Sequence, residues 1–421
     1  MRSSPIWLIL AGFMILLDFY VFQIVKTLSH SAGPRTKSIL YISYWTISIL
    51  ALIVLFVLPY LHLDQSGKSV RSTVFAVIVG LFLAKLIAAV FFLIDDIRRG
   101  IQWLAGKMFF KGTEGEQLQG EDGISRSIFL SWFGLAVGGG LFTSLIYGFS
   151  NKYRYKIKNI KLRYANLPAG FRGLRIVQLS DIHSGSFGNK EAVAKGVKKV
   201  LDLKPDIILF TGDLVNDQAI EMDDYTDVFS QLKAPMGVYS ILGNHDYGDY
   251  HYGFKPEGPV LEEKIANLES LKRLQAAMGW RLLLDENVVL ERGGDRIALI
   301  GIQNWSALKR FPKYGNLAKA YVGAEKQPFK ILMSHDPTHW DAEVRPRFGD
   351  IDLMLAGHTH GMQFGVELPG FKWSPVQYVY RQWAGLYEEG AQKLYVNRGY
   401  GFIGYPGRVG ILPEITLIEL T

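Results

Sequence analysis

The sequence predicts a chain in two parts, a four-helix transmembrane region over residues 1–150 and an α/β domain over residues 151–421. Three observations carry this reading. The first part holds four apolar runs of membrane-crossing length. In the second, short apolar runs alternate with helical stretches. Nearly every one of those short runs breaks off at a cluster of Asp, Asn, His and Gly, so one edge of a sheet collects polar side chains.

The apolar runs are Ile6–Ile24, Ile39–Leu63, Val74–Ile94 and Ile128–Tyr147. A helix needs about 20 apolar residues to cross a bilayer, and buried helices of soluble proteins rarely run this long without amphipathic periodicity. Asp18 and Lys85 interrupt the first and third runs. Charges at such depth face the bundle interior or a partner, which pairs these two. The segment from Asp95 to Ser127 separates the third and fourth runs, and its polar, glycine-rich stretch KGTEGEQLQGEDG reads as a surface loop. After Tyr147 the sequence NKYRYKIKNIKLRYANLP alternates basic and apolar residues, the pattern of a strand leaving the membrane. Its lysines suit anionic headgroups.

In the second part, RIVQLSDIHSG stops at Asp181 and His183, DIILFTGDLVN at Asp213, and GVYSILGNHDY at Asn244, His245 and Asp246. KILMSHDP stops at His335, and LMLAGHTHG at His358 and His360. Helices are predicted around Lys190–Leu203, Asp223–Leu232 and Leu261–Met278. Interleaved strands and helices indicate an α/β architecture, whose sites form at the carboxyl ends of the strands. A lone DxH or a GD after a strand means little. Five strand ends presenting such side chains together form a constellation.

Composition limits what that constellation can hold. The chain is mildly basic, with a formal net charge of +7, and contains no cysteine. A thiolate site and a disulfide framework are therefore excluded. Ligands drawn from His, Asp, Glu and Asn favour a hard or borderline ion such as Mn, Fe, Zn or Mg. No basic patch interleaved with aromatics is present, so nucleic acid is not an expected partner.

The ordered series D-x-H (Asp181, His183), G-D (Gly212, Asp213), G-N-H-D (Gly243 to Asp246), H (His335) and G-H-T-H (Gly357 to His360) resembles the calcineurin-like metallophosphoesterases. The resemblance runs from about Arg175 to the final strand EITLIEL. The membrane region before it is similar to that of the membrane-anchored bacterial members. It implies an α/β/β/α sandwich and two divalent metal ions, with Mn expected and Fe, Zn or Mg as alternatives. One ion would take Asp181, His183 and His360, the other Asn244, His335 and His358, with Asp213 shared. Such a pair clamps a phosphate and turns a bridging water into hydroxide. His245 would be the catalytic histidine outside the metal shell, stabilising charge or protonating the leaving oxygen, and Asp246 would orient its imidazole. Ser184, Asn216, His251 and His339 lie near the motifs without an assigned role, and Asp336 and His339 read as second-line or surface groups.

Protein phosphatases of the family carry Glu where this chain has Asp246. That difference and the membrane region point to phosphodiesters or pyrophosphates, with a lipid-linked substrate as a candidate. The UDP-2,3-diacylglucosamine intermediate of lipid A synthesis is one such substrate. Aromatics of the segment Pro369–Tyr387 form either an apolar rim or a packed hairpin, and Arg408 can reach a phosphate. A catalytically silent scaffold would be expected to have lost ligand positions, and here all are filled. A sensor or transporter module is the third reading, on Asp18 and Lys85. Lys26, Arg35, Lys37, Arg98, Arg99, Lys107, Lys111 and Arg126 fall after the first and third spans, against Arg2, Lys68 and Arg71 elsewhere. The positive-inside rule then sets the domain outside the cytoplasm of a bacterial inner membrane. A single-arginine sequence resembling an export signal, SRSIFLSWFGLAVGGG, agrees with this, and the basic run Lys152 to Arg163 opposes it.

Overall fold

The structure, a computed structural model, describes residues 5–60, 65–109 and 126–421. They form two compact units, Met1–Tyr147 and Gly148–Thr421, taken here in turn.

The first unit holds α1 (Pro5–Leu28), α2 (Pro34–Val57), α3 (Gln65–Phe109) and α4 (Arg126–Gly148). Each is long and apolar enough to cross a membrane, and many large apolar side chains point outward, Ile9 and Leu16 among them. In lipid no hydrophobic effect holds helices together, so close packing and polar contacts must do so. Both are present. A Cβ on Gly138 would stand 2.5 Å from the Ala84 carbonyl oxygen, so α3 and α4 meet backbone to backbone there. Lys85 Nζ donates to Asp18 Oδ1 at 2.6 Å and to Ser48 Oγ at 2.8 Å. Tyr44 donates its hydroxyl to the Asp18 carbonyl at 2.7 Å. The expected pair therefore exists, and it ties α1, α2 and α3 together.

The third helix runs further than its apolar run Val74–Ile94, because α3 continues past Asp95 as far as Phe109. Asp95 accepts from Arg98 at 2.8 Å and lies 3.2 Å from Arg99, pairs spaced three and four residues along one helix. Such pairs support helix in a polar stretch. The glycine-rich remainder, KGTEGEQLQGEDG, lies outside the described residues, as do the last residues of the expected second span.

The second unit is a sandwich of two six-stranded sheets. The first has the order β1-β14-β2-β3-β4-β5, with β1 Lys156–Leu162, β2 Arg175–Leu179, β3 Ile207–Phe210, β4 Val238–Ser240, β5 Trp280–Leu282 and β14 Glu414–Leu420. The second runs β12-β13-β9-β8-β7-β6, with β6 Glu286–Arg292, β7 Asp295–Gly301, β8 Lys330–Met333, β9 Leu353–Ala356, β12 Gly385–Glu389 and β13 Gln392–Val396. A separate hairpin pairs β10 (Val366–Leu368) with β11 (Phe371–Trp373). The strands that carry the motifs, β2, β3 and β4 in one sheet and β8 and β9 in the other, are parallel to their motif-bearing neighbours.

Both faces of those strands are buried, which explains their unbroken apolar runs. Ile176, Leu209 and Ile241 pack against Leu299, Met333 and Leu355 between the sheets. Outside the first sheet, Val193, Val197 and Val200 recur along the helix Lys190–Asp202, and Leu271 adds the helix Pro259–Ala277. Outside the second, Leu317, Ala320 and Trp340 cover Ile300, Leu332 and Met354. The result is the expected α/β/β/α layering. The predicted helix around Asp223–Leu232 shortens to Thr226–Phe229.

Lys85 and Asp18 are buried together, so removing one strands the other. Breaking a buried pair costs about 3–5 kcal/mol, whereas an apolar pair of similar volume is tolerated. Lys85→Met should therefore lower the melting temperature of the detergent-solubilised protein, and Asp18→Leu/Lys85→Met should recover most of the loss. A double variant no more stable than Lys85→Met would contradict the pairing.

Candidate metal centre

All nine side chains singled out from the sequence converge where the carboxyl ends of β2, β3 and β4 face those of β8 and β9. The backbone there is strained. Asp181, His183, Asp213, His358 and His360 all have positive φ, between 49° and 71°. That region disfavours residues with a Cβ, and its use clusters at functional sites. Glycines make room beside them. A Cβ on Gly357 would lie 1.9 Å from Ser180 Oγ and 2.2 Å from Asp181 Oδ2, and one on Gly243 would lie 2.3 Å from Asp213 Oδ1.

Two groups of donors result. The ligand atoms of Asp181, His183 and His360 lie within 4.8 Å of one another, as do those of Asp213, His335 and His358. His183 Nε2 and His360 Nε2 are 3.0 Å apart, and His360 Nε2 is 3.3 Å from Asp181 Oδ1. In the second group His335 Nε2 is 3.0 Å from Asp213 Oδ2, and His358 Nδ1 is 2.7 Å from Asn244 Oδ1. The Asn244 amide donates to the Tyr250 hydroxyl at 3.0 Å, which turns its oxygen towards His358. Asp213 Oδ2 is also 3.6 Å from His183 Nε2, so one oxygen faces both groups.

The donors fit divalent cations. Ligating imidazoles must be neutral and carboxylates ionised. Burial pushes His183, His358 and His360 below the ordinary histidine range. It would also raise Asp181 and Asp213, but the His360 ring beside the first and the His335 ring beside the second hold both carboxyls low. His335 goes the other way. Burial lowers it, yet the Asp213 carboxylate drives it up to about 10, and a cation in this place would satisfy the same negative charge. His335 Nε2 nevertheless has no hydrogen-bond partner, although Asp213 Oδ2 is 3.0 Å away. The two atoms are close without the alignment of a hydrogen bond.

His245 stands beside both groups. Its Nδ1 donates to the Asn216 carbonyl at 2.7 Å, which leaves Nε2 free, and its ring stacks on Tyr250 at 4.5 Å between centroids. The expected role of Asp246 as its orienter is corrected. Asp246 is buried and accepts from four backbone amides: Asp213 at 2.9 Å, Leu214 at 2.8 Å, Val215 at 3.3 Å and Gly243 at 2.9 Å. It grips the loop that carries Asp213. Burial and the Asp213 charge push its carboxyl up to about 7 against the pull of those amides. The imidazole is instead oriented by Asn216, through a main-chain atom that no residue pattern reveals.

A cleft of about 500 Å³ opens over the donors, walled also by Tyr250, Arg310, Phe311, Met362, Val379 and Tyr380. Arg310 was not anticipated, whereas Tyr380 belongs to the segment Pro369–Tyr387 that was expected to supply either an apolar rim or a packed hairpin. Arg310 donates to the Tyr380 hydroxyl at 3.3 Å, and that hydroxyl is 2.8 Å from His358 Nε2. Asp336 Oδ2 lies 3.4 Å from the same nitrogen. His339 is buried away from the cleft against Ser334 and Glu343, and His251 meets Gln218. Arg408 does not reach the cleft. Fully buried, it donates to the carbonyls of Arg398, Gly399 and His360 beneath the His360 ring, and burial lowers it to about 9.

Two family models match this chain. The probable calcineurin-like phosphoesterase transmembrane domain covers residues 1–152, and the calcineurin-like phosphoesterase covers residues 174–362. The chain belongs to the calcineurin-like phosphoesterases, a family that works with divalent metals, and it is a membrane protein. Among its relatives is a zebrafish (Danio rerio) transmembrane protein with a metallophosphoesterase domain, 30% identical across 65% of this chain and 60% of that protein. This chain thus spans about three fifths of that relative's length. The phosphodiesterase YaeI of Escherichia coli is 29% identical, over 62% of this chain and 87% of its own. The UDP-2,3-diacylglucosamine pyrophosphatase LpxG of Chlamydia trachomatis is 27% identical, over 56% and 81%.

Asp246→Asn offers one acceptor oxygen where the carboxylate had two, so it strands part of the amide set. Each unsatisfied buried amide costs about 1–3 kcal/mol. The variant should melt several degrees lower and bind metal more weakly, as read by calorimetry and metal analysis. Unchanged melting and metal content would show that the amide grip is dispensable.

Proposed function

We propose that this chain hydrolyses phosphodiester or pyrophosphate bonds with two divalent metal ions, Mn foremost, at the strand-end centre. The observation that carries the reading is Asp213 Oδ2, set between the two donor groups at 3.6 Å from His183 and 3.0 Å from His335. Asp181, His183 and His360 would hold one ion, Asn244, His335 and His358 the other, and Asp213 both. Ions held there would withdraw charge from the phosphoryl oxygens and acidify a water molecule.

The chain's own groups do the rest. Asn244 supplies a neutral oxygen, which limits negative charge beside an anionic substrate. His245, its Nδ1 fixed on Asn216, presents Nε2 to the cleft and can pass a proton to the departing oxygen. Arg310, at the cleft wall, offers a guanidinium to phosphate oxygens that are not being cut. Phe311, Met362, Val376 and Val379 make the remaining wall apolar, which suits a substrate with a hydrophobic part. A lipid-linked phosphoester is consistent with this wall and with the membrane spans. A UDP-diacylglucosamine-type pyrophosphate is the form that the LpxG relative suggests. The cations that follow the first and third spans support a bacterial inner membrane with the domain on its outer side.

His245→Asn should keep its metal content yet lower turnover of a chromogenic phosphodiester by roughly 10²–10⁴. Asp213→Asn should lose metal from both groups, and chelator-treated protein should regain activity with Mn²⁺. Hydrolysis that survives chelation, or loss of metal from His245→Asn, would contradict the assignment.

A further inference from the structure

Exposed large apolar side chains in Gly148–Thr421 are not scattered. Apart from Ile220, Val289 and Val322, those among the described residues fall in two segments that flank the cleft, around residues 250–265 and 362–379. The second is the denser. Leu368 is 61% exposed, Phe371 56%, Tyr378 77% and Val379 55%. Leu368 and Phe371 face each other across the tip of the β10–β11 hairpin. Val379 and Met362 also line the cleft, so the apolar surface runs from the cleft wall out to that tip. A soluble domain seldom leaves so much contiguous apolar area in water.

The chain itself indicates what covers it. The last membrane-crossing helix reaches Gly148, whose carbonyl accepts from the Arg408 amide at 2.9 Å. The next residue, Val409, pairs with the base of the hairpin: it receives the Gly365 amide at 2.9 Å and bridges Phe364. The hairpin therefore springs from the ground on which the chain enters the domain. Three residues per strand give it a reach of roughly 10 Å. The chemistry of the segment agrees. Its one acid, Glu367, is taken up by Lys158 and Arg398. Arg381, just beyond, is largely exposed although it lies 3.8 Å from Asp341, and Trp373 and Tyr378 are of the types that settle at membrane interfaces.

We infer that the β10–β11 hairpin, with Tyr378 and Val379, dips into the surface of the bilayer that the chain's own helices occupy. The docked hairpin brings the mouth of the cleft to the headgroup layer. The inference is separate from the reaction proposed above, and its test does not depend on turnover.

The absence of cysteine makes the test direct, because one introduced thiol is the only one in the chain. Full-length protein in lipid nanodiscs would carry an environment-sensitive fluorophore at Leu368→Cys, at Phe371→Cys or, as a control, at Val322→Cys, an exposed apolar position outside both segments. Doxyl-labelled phospholipid in the disc should quench the first two at least twofold more than the third, and aqueous iodide should show the reverse order. Hairpin labels quenched like the Val322 label would overturn the inference. So would hairpin labels shielded from iodide yet untouched by doxyl lipid, since a second copy or another protein surface would then be the cover.

Discussion

The site depends on one carboxylate held in an unfavourable place. Asp213 is buried, sits at φ 60°, and lies against two histidine rings and close to a second carboxylate, Asp181. Left alone, the loop would relax and the charge would be lost to a proton. Asp246 prevents the first, by collecting the amides of Asp213, Leu214, Val215 and Gly243 on its two oxygens. The surrounding imidazoles, and the cations they are suited to bind, prevent the second. Two buried acids therefore divide the work. One presents charge, and the other fixes the backbone that presents it.

The donors come from both sheets. Asp181, His183, Asp213 and Asn244 leave the ends of β2, β3 and β4, while His335, His358 and His360 leave β8 and β9. Neither sheet alone carries a full set, so packing of Ile176, Leu209 and Ile241 against Leu299, Met333 and Leu355 is what brings the halves together. A cavity in that inter-sheet core would act on the centre as surely as loss of a ligand. The His358 amide donates to both Asp181 oxygens at 3.0 Å and so ties the two sheets at the site itself.

Much of this was legible in the residue order. Apolar runs ending in Asp, Asn and His marked the strands and the edge where they converge, because chemistry that needs those side chains leaves a pattern in their identities. The Asp18 and Lys85 pair was legible for a similar reason, charge being conspicuous in an apolar run. What stayed hidden involved main-chain atoms or distant segments. Asp246 was read as the partner of His245 because a carboxylate commonly orients a functional imidazole, yet its oxygens face backbone amides, which carry no residue signature. Asn216 orients His245 through its carbonyl, and Arg310 joins the cleft from a separate loop. Arg408 was read as a phosphate contact and proved a buried support for His360. The continuation of α3 past Asp95 lay beyond the apolar run that ends at Ile94, and its polar stretch is held as helix by pairs to Arg98 and Arg99.

The central claim is that Asp213 joins two metal positions into one centre. Electron paramagnetic resonance of the protein loaded with Mn²⁺ addresses this most directly, because two manganese ions sharing a carboxylate are magnetically coupled. The account predicts a coupled spectrum in the native chain and only isolated-ion signal, or none, in Asp213→Ala. Isolated-ion signal from the fully loaded native chain would contradict it.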